Sequence, residues 1–322
     1  MKDMDLLPRE GAFYKANLHA HTTCSDGHWT PARLKEEYRQ RGYAVVAVTD
    51  HRVYHWHKEL DEPGFLTLAA FEGDLNQGSC DRLAPTDKTY HLNLYDTRPE
   101  TRGEGYAAVL PPQGAYGDTA QLNAYIARMN EEGFLVCYNH PWWSMQDHGD
   151  YKDLQGIFAM EIYNHGCEHD GLYGYAPQAY DELLRRGLRL GCLATDDNHG
   201  VYEPDHPLSD SFGGVTMLKL PSLTYANVID ALRNRRYYAT TGPELYDLVV
   251  RGGALHVRCS PVERIYVAMA GRNTYKAVAP AGRTITEAVF PLTGGEGWVR
   301  VDCQDAQRRH AYSPAYFLDE ME

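Results

Sequence analysis

Residues 44–51 read Ala-Val-Val-Ala-Val-Thr-Asp-His. An unbroken β-prone run of this kind predicts a strand covered on both faces, as in parallel sheets, and it delivers Asp50 and His51 at its end. The same form recurs along the chain. Segments 13–18, 65–71, 90–95, 134–138, 157–162 and 190–195 are short, apolar and strand-like. His19 and His21 follow the first, and Asp26 comes soon after in a Ser-Asp-Gly turn. Glu72 follows the second, His91 lies within the third, and His140 follows the fourth. Glu161 lies within the fifth, and Asp197 and His199 follow the sixth. Imidazole and carboxylate are the ligands of Zn, Mn and Fe sites. One such ending is unremarkable; a whole series predicts strand ends that converge on one place holding several cations.

Helical pieces lie between the strands. Thr30-Pro31 supplies an N-cap residue and a proline at the first helical position. Leu34 and Tyr38 share a face of that helix, and Gly42 stops it. Asp118 caps a helix expected to run to Glu132 and to end at Gly133, and segment 178–186 is a helix ending at Gly187. A strand at 214–220 and a helix at 223–233 follow. Strand–helix alternation predicts a parallel sheet with right-handed crossovers. In a closed barrel of that kind, active sites sit where strands end and loops begin. Segment 98–118, rich in Gly and Pro, is a long loop of the sort that often carries function.

From residue 245 the pattern changes. Segments 245–251, 254–259, 264–270, 284–290, 297–302 and 311–317 are short strands separated by turn residues, with no helix between them. They predict a small all-β sandwich. The division is therefore 1–244 and 245–322, joined at Thr240-Thr241-Gly242-Pro243.

Composition bounds the function. A chain of 322 residues with 43% hydrophobic content, 24 tyrosines and 5 tryptophans fills a substantial core. A formal charge of −13 argues against a nucleic-acid groove, which draws its affinity from Lys and Arg. It leaves room for a small anionic substrate, because bound cations reverse the local field. No stretch approaches the roughly 18 apolar residues of a membrane span, and the first ten residues do not form a signal peptide. Cysteines 24, 80, 137, 167, 192, 259 and 303 are scattered without a CxxC pair and read as reduced thiols of a cytoplasmic protein. Nothing in the sequence assigns an oligomeric state.

Each motif has a plainer alternative. His19 and His21 point to the same side of an extended strand and can share a metal, yet His-x-His also occurs by chance on surface strands. Thr49-Asp50-His51 ends a buried strand, where a bare charged pair costs several kcal/mol; the alternative is a capping Asp and a satisfied His. Asn139-His140-Pro141 and Asp197-Asn198-His199 each permit a structural role. Glu161 faces either the site or a salt bridge to an arginine in the core. Only the ordered set resists the plain explanation.

That set carries a resemblance. His-Ala-His-Thr-Thr-Cys-Ser-Asp-Gly (19–27), Thr-Asp-His (49–51), Glu72, His91, Asn-His-Pro (139–141) and Asp-Asn-His (197–199) resemble the polymerase-and-histidinol-phosphatase (PHP) family of metal-dependent phosphoesterases. The likeness covers residues 12 to about 245. Ala-Leu-Arg-Asn-Arg-Arg-Tyr-Tyr-Ala-Thr-Thr-Gly-Pro (231–243) is similar to the CehA/McbA branch, in which a β domain follows. The resemblance implies a distorted (β/α)7 TIM-like barrel, with which the strand at 214–220 is in tension. It also implies two or three divalent transition-metal ions (Mn, Fe or Zn). One would take His19, His21, Glu72 and Asp197; a second His91 and His140, with Glu72 bridging; a third Asp26, His51 and His199.

A hydroxide bridging two cations is nucleophilic near neutral pH, because metal binding lowers the pKa of water to about 7 in favourable cases. The leaving alkoxide then needs a proton or a third cation, and His51 or His199 is the candidate general acid. Arg52 and His165 are candidates for binding the phosphate; a solvated turn is the alternative for Arg52. The expected activity is metal-dependent hydrolysis of phosphate mono- or diesters of a small molecule. The alternatives are a non-phosphate ester or carbamate hydrolase on the same metals, and a binding protein acting through exposed aromatics of the β region such as Tyr246, Tyr266, Tyr275 and Trp298.

Overall fold

The computed structural model describes residues 2–78 and 87–321. Its first eleven strands are β1 (Met4–Asp5), β2 (Ala12–Asn17), β3 (Tyr43–Ala47), β4 (Leu66–Leu68), β5 (Ala70–Asn76), β6 (Thr89–Asp96), β7 (Phe134–Tyr138), β8 (Ala159–Asn164), β9 (Gly191–Thr195), β10 (Val215–Leu220) and β11 (Tyr237–Thr240). Every residue of β3, β7, β8 and β9 is buried, as unbroken apolar runs require. The run at 65–71 departs from expectation. It breaks at Ala69 into β4 and β5, so Glu72 lies inside β5 rather than beyond a strand end.

The helices are α1 (Pro31–Gln40), α2 (Thr119–Glu131), α3 (His148–Tyr151), α4 (His165–Gly171), α5 (Pro177–Arg185) and α6 (Tyr225–Arg233). The caps form as the sequence predicts. Thr30 Oγ1 accepts from the Arg33 amide at 3.2 Å, and Asp118 Oδ1 accepts from the Gln121 amide at 3.1 Å. Helix α1 buries Leu34 and Tyr38, and α2 buries Leu122, Tyr125, Ile126 and Met129 against the sheet.

The mixed α/β character is as expected, but the parallel sheet expected from strand–helix alternation is corrected, and no closed distorted (β/α)7 barrel is found among the described residues. Strands β2, β3 and β4 are parallel neighbours, as are β7, β8 and β9. However, β5–β6 and β6–β7 are antiparallel, and β10 is antiparallel to both β2 and β11. Among the described residues the ladders do not close; they form sheets of four, ten and five strands. The physical reason lies in the connections. A parallel neighbour needs a long crossover, usually a helix. The 18 residues between β3 and β4 are such a crossover, although their helical piece is only a 3-10 turn at Lys58–Leu60, whereas a single residue separates β4 from β5, which do not pair. Helix α2 does lie between β6 and β7, yet it returns the chain to Phe134 opposite Asp96, at the end it left.

After Pro243 come β12 (Leu245–Arg251), β13 (Ala254–Val262), β14 (Arg264–Met269), β15 (Tyr275–Val278), β16 (Ile285–Pro291), β17 (Trp298–Gln304), β18 (His310–Tyr312) and β19 (Tyr316–Phe317). Burial alternates residue by residue along β14. Leu248, Val250, Val257, Val267, Val299 and Val301 share one core between two sheets. One sheet is β1-β12-β13-β16. The other strands join β11 in the order β15-β14-β17-β18-β11-β10-β2-β3-β4, with β19 paired beside β17 as the tenth. The N-terminal strand therefore pairs with β12, and the ten-stranded sheet passes through residue 244 without a break. Arg300 on β17, buried, grips Asp181 on α5 with two bonds of 2.7 and 3.0 Å.

One further expectation changes. Trp298 is buried in the core beside Tyr312 and Phe317, so it is not an exposed aromatic. Cysteines 24, 137, 167, 192, 259 and 303 form no disulfide, and Cys80 lies outside the described residues. Among the described residues no helix is long and apolar enough to cross a membrane.

Candidate metal centre

The turn after β2 is held by a residue that is not itself a candidate ligand. Asp50 accepts from the Thr22 amide (2.7 Å), the Thr22 hydroxyl (2.7 Å) and the Ser25 hydroxyl (2.6 Å). This is the capping role weighed for it, and it sets the turn that carries Asp26. Three side chains reach the site from left-handed backbone: Arg52 at φ 60°, His140 at φ 22° and Asp197 at φ 55°. Such conformations cost of order 1–3 kcal/mol each in a residue other than glycine and gather at functional sites.

The sequence-predicted ligands meet. His19 Nε2 lies 3.3 Å from Glu72 Oε1 and 3.1 Å from Asp197 Oδ1. His21 Nε2 lies 2.9 Å from Asp197 Oδ1, 3.5 Å from Glu72 Oε2 and 3.2 Å from His19 Nε2. His91 Nδ1 and His140 Nε2 approach Glu72 Oε1 at 3.1 and 3.6 Å, and His51 Nδ1 approaches Oε2 at 2.9 Å. Asp26 completes the outer edge, 3.7 Å from His51 Nε2 and 3.6 Å from His199 Nε2. Glu72 is therefore central, with both carboxylate oxygens shared among imidazoles. The His21 ring is stacked between those of His51 and His199, with centroids 4.4 and 4.3 Å away.

The residues fit cations. Two ligands each 2.0–2.2 Å from one ion sit about 3.0–3.5 Å apart, and most of these separations fall in or near that range. Two imidazole nitrogens face each other at 3.2 Å, both beside one carboxylate oxygen, an arrangement that a shared cation would satisfy. His21 Nδ1 is buried and makes no hydrogen bond, which ordinarily costs about 1–3 kcal/mol.

Charge is concentrated here. Burial opposes ionisation of Glu72 and Asp197, yet the surrounding histidines hold both carboxyls well below their usual range. Burial likewise pulls His51 down, but Glu72, Asp26 and Asp197 outweigh it and raise the imidazole to about 9. His21 goes the other way, to about 4, from burial and the neighbouring His199 and His51. Protons and cations thus compete for the same nitrogens.

Glu161 faces the site, not a core arginine. It lies 2.7 Å from His19 Nδ1 and accepts from Thr195 Oγ1 (2.6 Å), Asn164 Nδ2 (2.9 Å) and the His140 amide (3.0 Å). A carboxylate on the second imidazole nitrogen orients a metal-binding histidine and fixes its tautomer. Asn164 also donates to Asp197 Oδ2 at 3.1 Å, and Asn139 to Glu72 Oε1 at 2.7 Å.

A cavity of about 730 Å³ opens over the cluster. Arg52 lines it, its guanidinium paired with both oxygens of Asp74 at 2.6 and 2.7 Å. His165 does not line it. The first residue of α4, it lies against the Tyr163 hydroxyl at 2.8 Å, and its neighbour His169 reaches the cavity in its place. The sequence had not singled out Asp74, Trp143, His169 or Asp210. Asp74 had a signal, since it lies two residues from Glu72 and so on the same side of β5. Asp210 had none; it accepts from the His199 and Gly200 amides across a loop.

No family model matches the sequence, and no curated protein matches it. Among solved structures, the chain is similar to a two-domain protein from Bacteroides vulgatus containing a predicted PHP-like metal-dependent phosphoesterase. The TM-score is 0.47 at 15% identity, covering 98% of this chain and 99% of that one. It is also similar to a protein from Bifidobacterium adolescentis named provisionally as a metal-dependent phosphoesterase, with TM-score 0.37 and 17% identity over 62% of this chain and 91% of that one. Neither likeness bears on the CehA/McbA branch. Both scores lie below 0.5, and the functional conclusion rests on the residues of the site.

Proposed function

We propose that this protein hydrolyses phosphate mono- or diesters of a small molecule at a site for two or three divalent cations. The observation that carries this is the position of Glu72, buried, with both oxygens within 3.6 Å of imidazoles from separate segments. His19, His21, Glu72 and Asp197 would hold one cation, Glu72, His91 and His140 a second, and Asp26, His51 and His199 a third. Bound there, such cations supply Lewis acidity toward phosphate oxygens and lower the pKa of water.

The chain's own residues do the rest. Glu161 and Asn164 keep His19 and Asp197 in place. Where no third cation is bound, His51 or His199, at the partly exposed edge, is the candidate to pass a proton to a leaving alkoxide. Arg52, paired with Asp74 at the cavity wall, is the candidate for contact with phosphate oxygens. Trp143, Tyr202 and Leu208 wall the cavity and exclude water from one side of the ester.

Hydrolysis of an uncharged ester or carbamate is the second proposal. It is favoured by one fact: among the described residues Arg52 is the only Lys or Arg lining the cavity, and Asp74 already shares its charge. A panel of p-nitrophenyl phosphate, bis-p-nitrophenyl phosphate and an aryl carboxylic ester separates the two. Phosphate-ester turnover that chelation abolishes and Mn²⁺ or Zn²⁺ restores is expected. Turnover of the carboxylic ester alone would overturn the first choice. His140→Ala should weaken metal binding at one position by roughly tenfold or more, read by elemental analysis.

A further inference from the structure

A second group of ligand-type side chains lies outside the cavity. Cys24, His55 and His57 each place one ligand-type atom within 4.8 Å of the other two, and none of the three lines the cavity. Cys24 sits in the turn between His21 and Asp26, and the two histidines follow His51. Distant in sequence, they are brought together because His55 is tied to Ala70 by reciprocal backbone bonds of 3.3 and 3.2 Å. The carbonyl of His57 meanwhile accepts from Thr67 Oγ1 at 2.9 Å.

The state of His57 points to a ligand. Its side chain is 6% exposed. Nδ1 lies 3.0 Å from Glu59 Oε1, while Nε2 is buried with no hydrogen-bond partner. An orphaned nitrogen of this kind costs about 1–3 kcal/mol. A carboxylate on Nδ1 is the arrangement that fixes the proton there and leaves Nε2 to bind a metal. The His55 ring stacks on that of His57, centroids 4.4 Å apart. A thiolate with two neutral imidazoles is a soft-to-borderline set, suited to Zn²⁺ and unsuited to Mg²⁺ or Ca²⁺.

We infer that Cys24 Sγ, His55 and His57 Nε2 form a separate zinc-type site, which fastens the turn bearing Asp26 to the segment that follows His51. Binding displaces the thiol proton to solvent, and the fourth position is open to water. The site differs from the main cluster in holding sulfur, so the two are separable and the inference does not depend on the proposed activity.

The test is titration of the chelator-treated full-length protein with Co²⁺, followed by near-ultraviolet absorption. Thiolate-to-cobalt charge transfer is expected in the wild type, reversed by Zn²⁺, lost in Cys24→Ser and retained in His140→Ala. His55→Gln and His57→Gln should weaken the band or abolish it. Cys24 and His55 are exposed, so their variants remain informative if His57→Gln does not fold. A saturated wild type without the band would overturn the inference. So would a band that survives Cys24→Ser, or one that is unchanged in His55→Gln.

Discussion

Asp74 and Arg52 show how a single carboxylate sets the work of its neighbour. Burial opposes the charge on Asp74, yet its hydrogen bonds from Arg52 keep the carboxyl below the usual range, and the paired Arg52 lines the cavity. In Asp74→Asn the bidentate clamp is lost and Arg52 gains rotamers. KM for a phosphate ester should then rise about tenfold, equivalent to about 1.4 kcal/mol, while metal content stays that of the wild type. An unchanged KM would remove Arg52 from substrate binding.

His165 carries a pH signature of its own. Burial first, and His169 second, push it down to about 4, against about 6.5 in an unfolded chain. Below pH 6.5 the unfolded chain takes up a proton that the folded one refuses. Stability therefore falls as pH drops from about 6.5 to 4 and is unaffected by this group above that window. The loss amounts to at most about 3 kcal/mol. Urea unfolding at pH 7 and pH 5 should show a smaller difference for His165→Gln than for the wild type; equal differences would assign the effect elsewhere.

Among the elements, the end of β9 is the most tightly constrained. It turns into Asp196 and Asp197, and Asp196 accepts from the amides of Phe212, Gly213 and Gly214 at 2.8, 2.9 and 2.7 Å. Burial raises the Asp196 carboxyl to about 7, in spite of those bonds and the Tyr38 hydroxyl. A Cβ at Gly214 would collide with the backbone carbonyl of Thr195, which has no flexible end to move aside. Gly214→Ala is expected to cost roughly 1–3 kcal/mol and to displace Asp197, lowering metal stoichiometry as well as the melting temperature. Normal stoichiometry in the variant would show that β9 and its turn move independently.

Across the whole molecule, the strands after residue 244 are joined to the rest by the β11–β18 pairing and by Arg300 with Asp181. Removing one member of a buried ion pair strands its partner and costs about 3–5 kcal/mol. Arg300→Ala should accordingly shift urea unfolding of both parts together. A separate early transition for the strands after 244, with the remainder unmoved, would show that the two fold independently. A chain ended at Glu244 would expose the edge of β11, an invitation to aggregation, and should be poorly soluble.

Strand positions, helix caps and the candidate ligand-type side chains were legible because they depend on local patterns: apolar runs, Thr30 and Asp118 before helices, imidazoles at run ends. Pairing direction was not, since whether β6 and β7 run parallel or antiparallel depends on where α2 returns the chain. The same limit hid Glu161, whose orientation toward His19 is a contact across 142 residues. It also hid that His169 rather than His165 lines the cavity, which turns on how the first turn of α4 packs. The one-dimensional order named the atoms able to hold cations. Only the packed chain decided that Glu72 would stand among them, because a carboxylate is central through the separations of groups that no local pattern encodes.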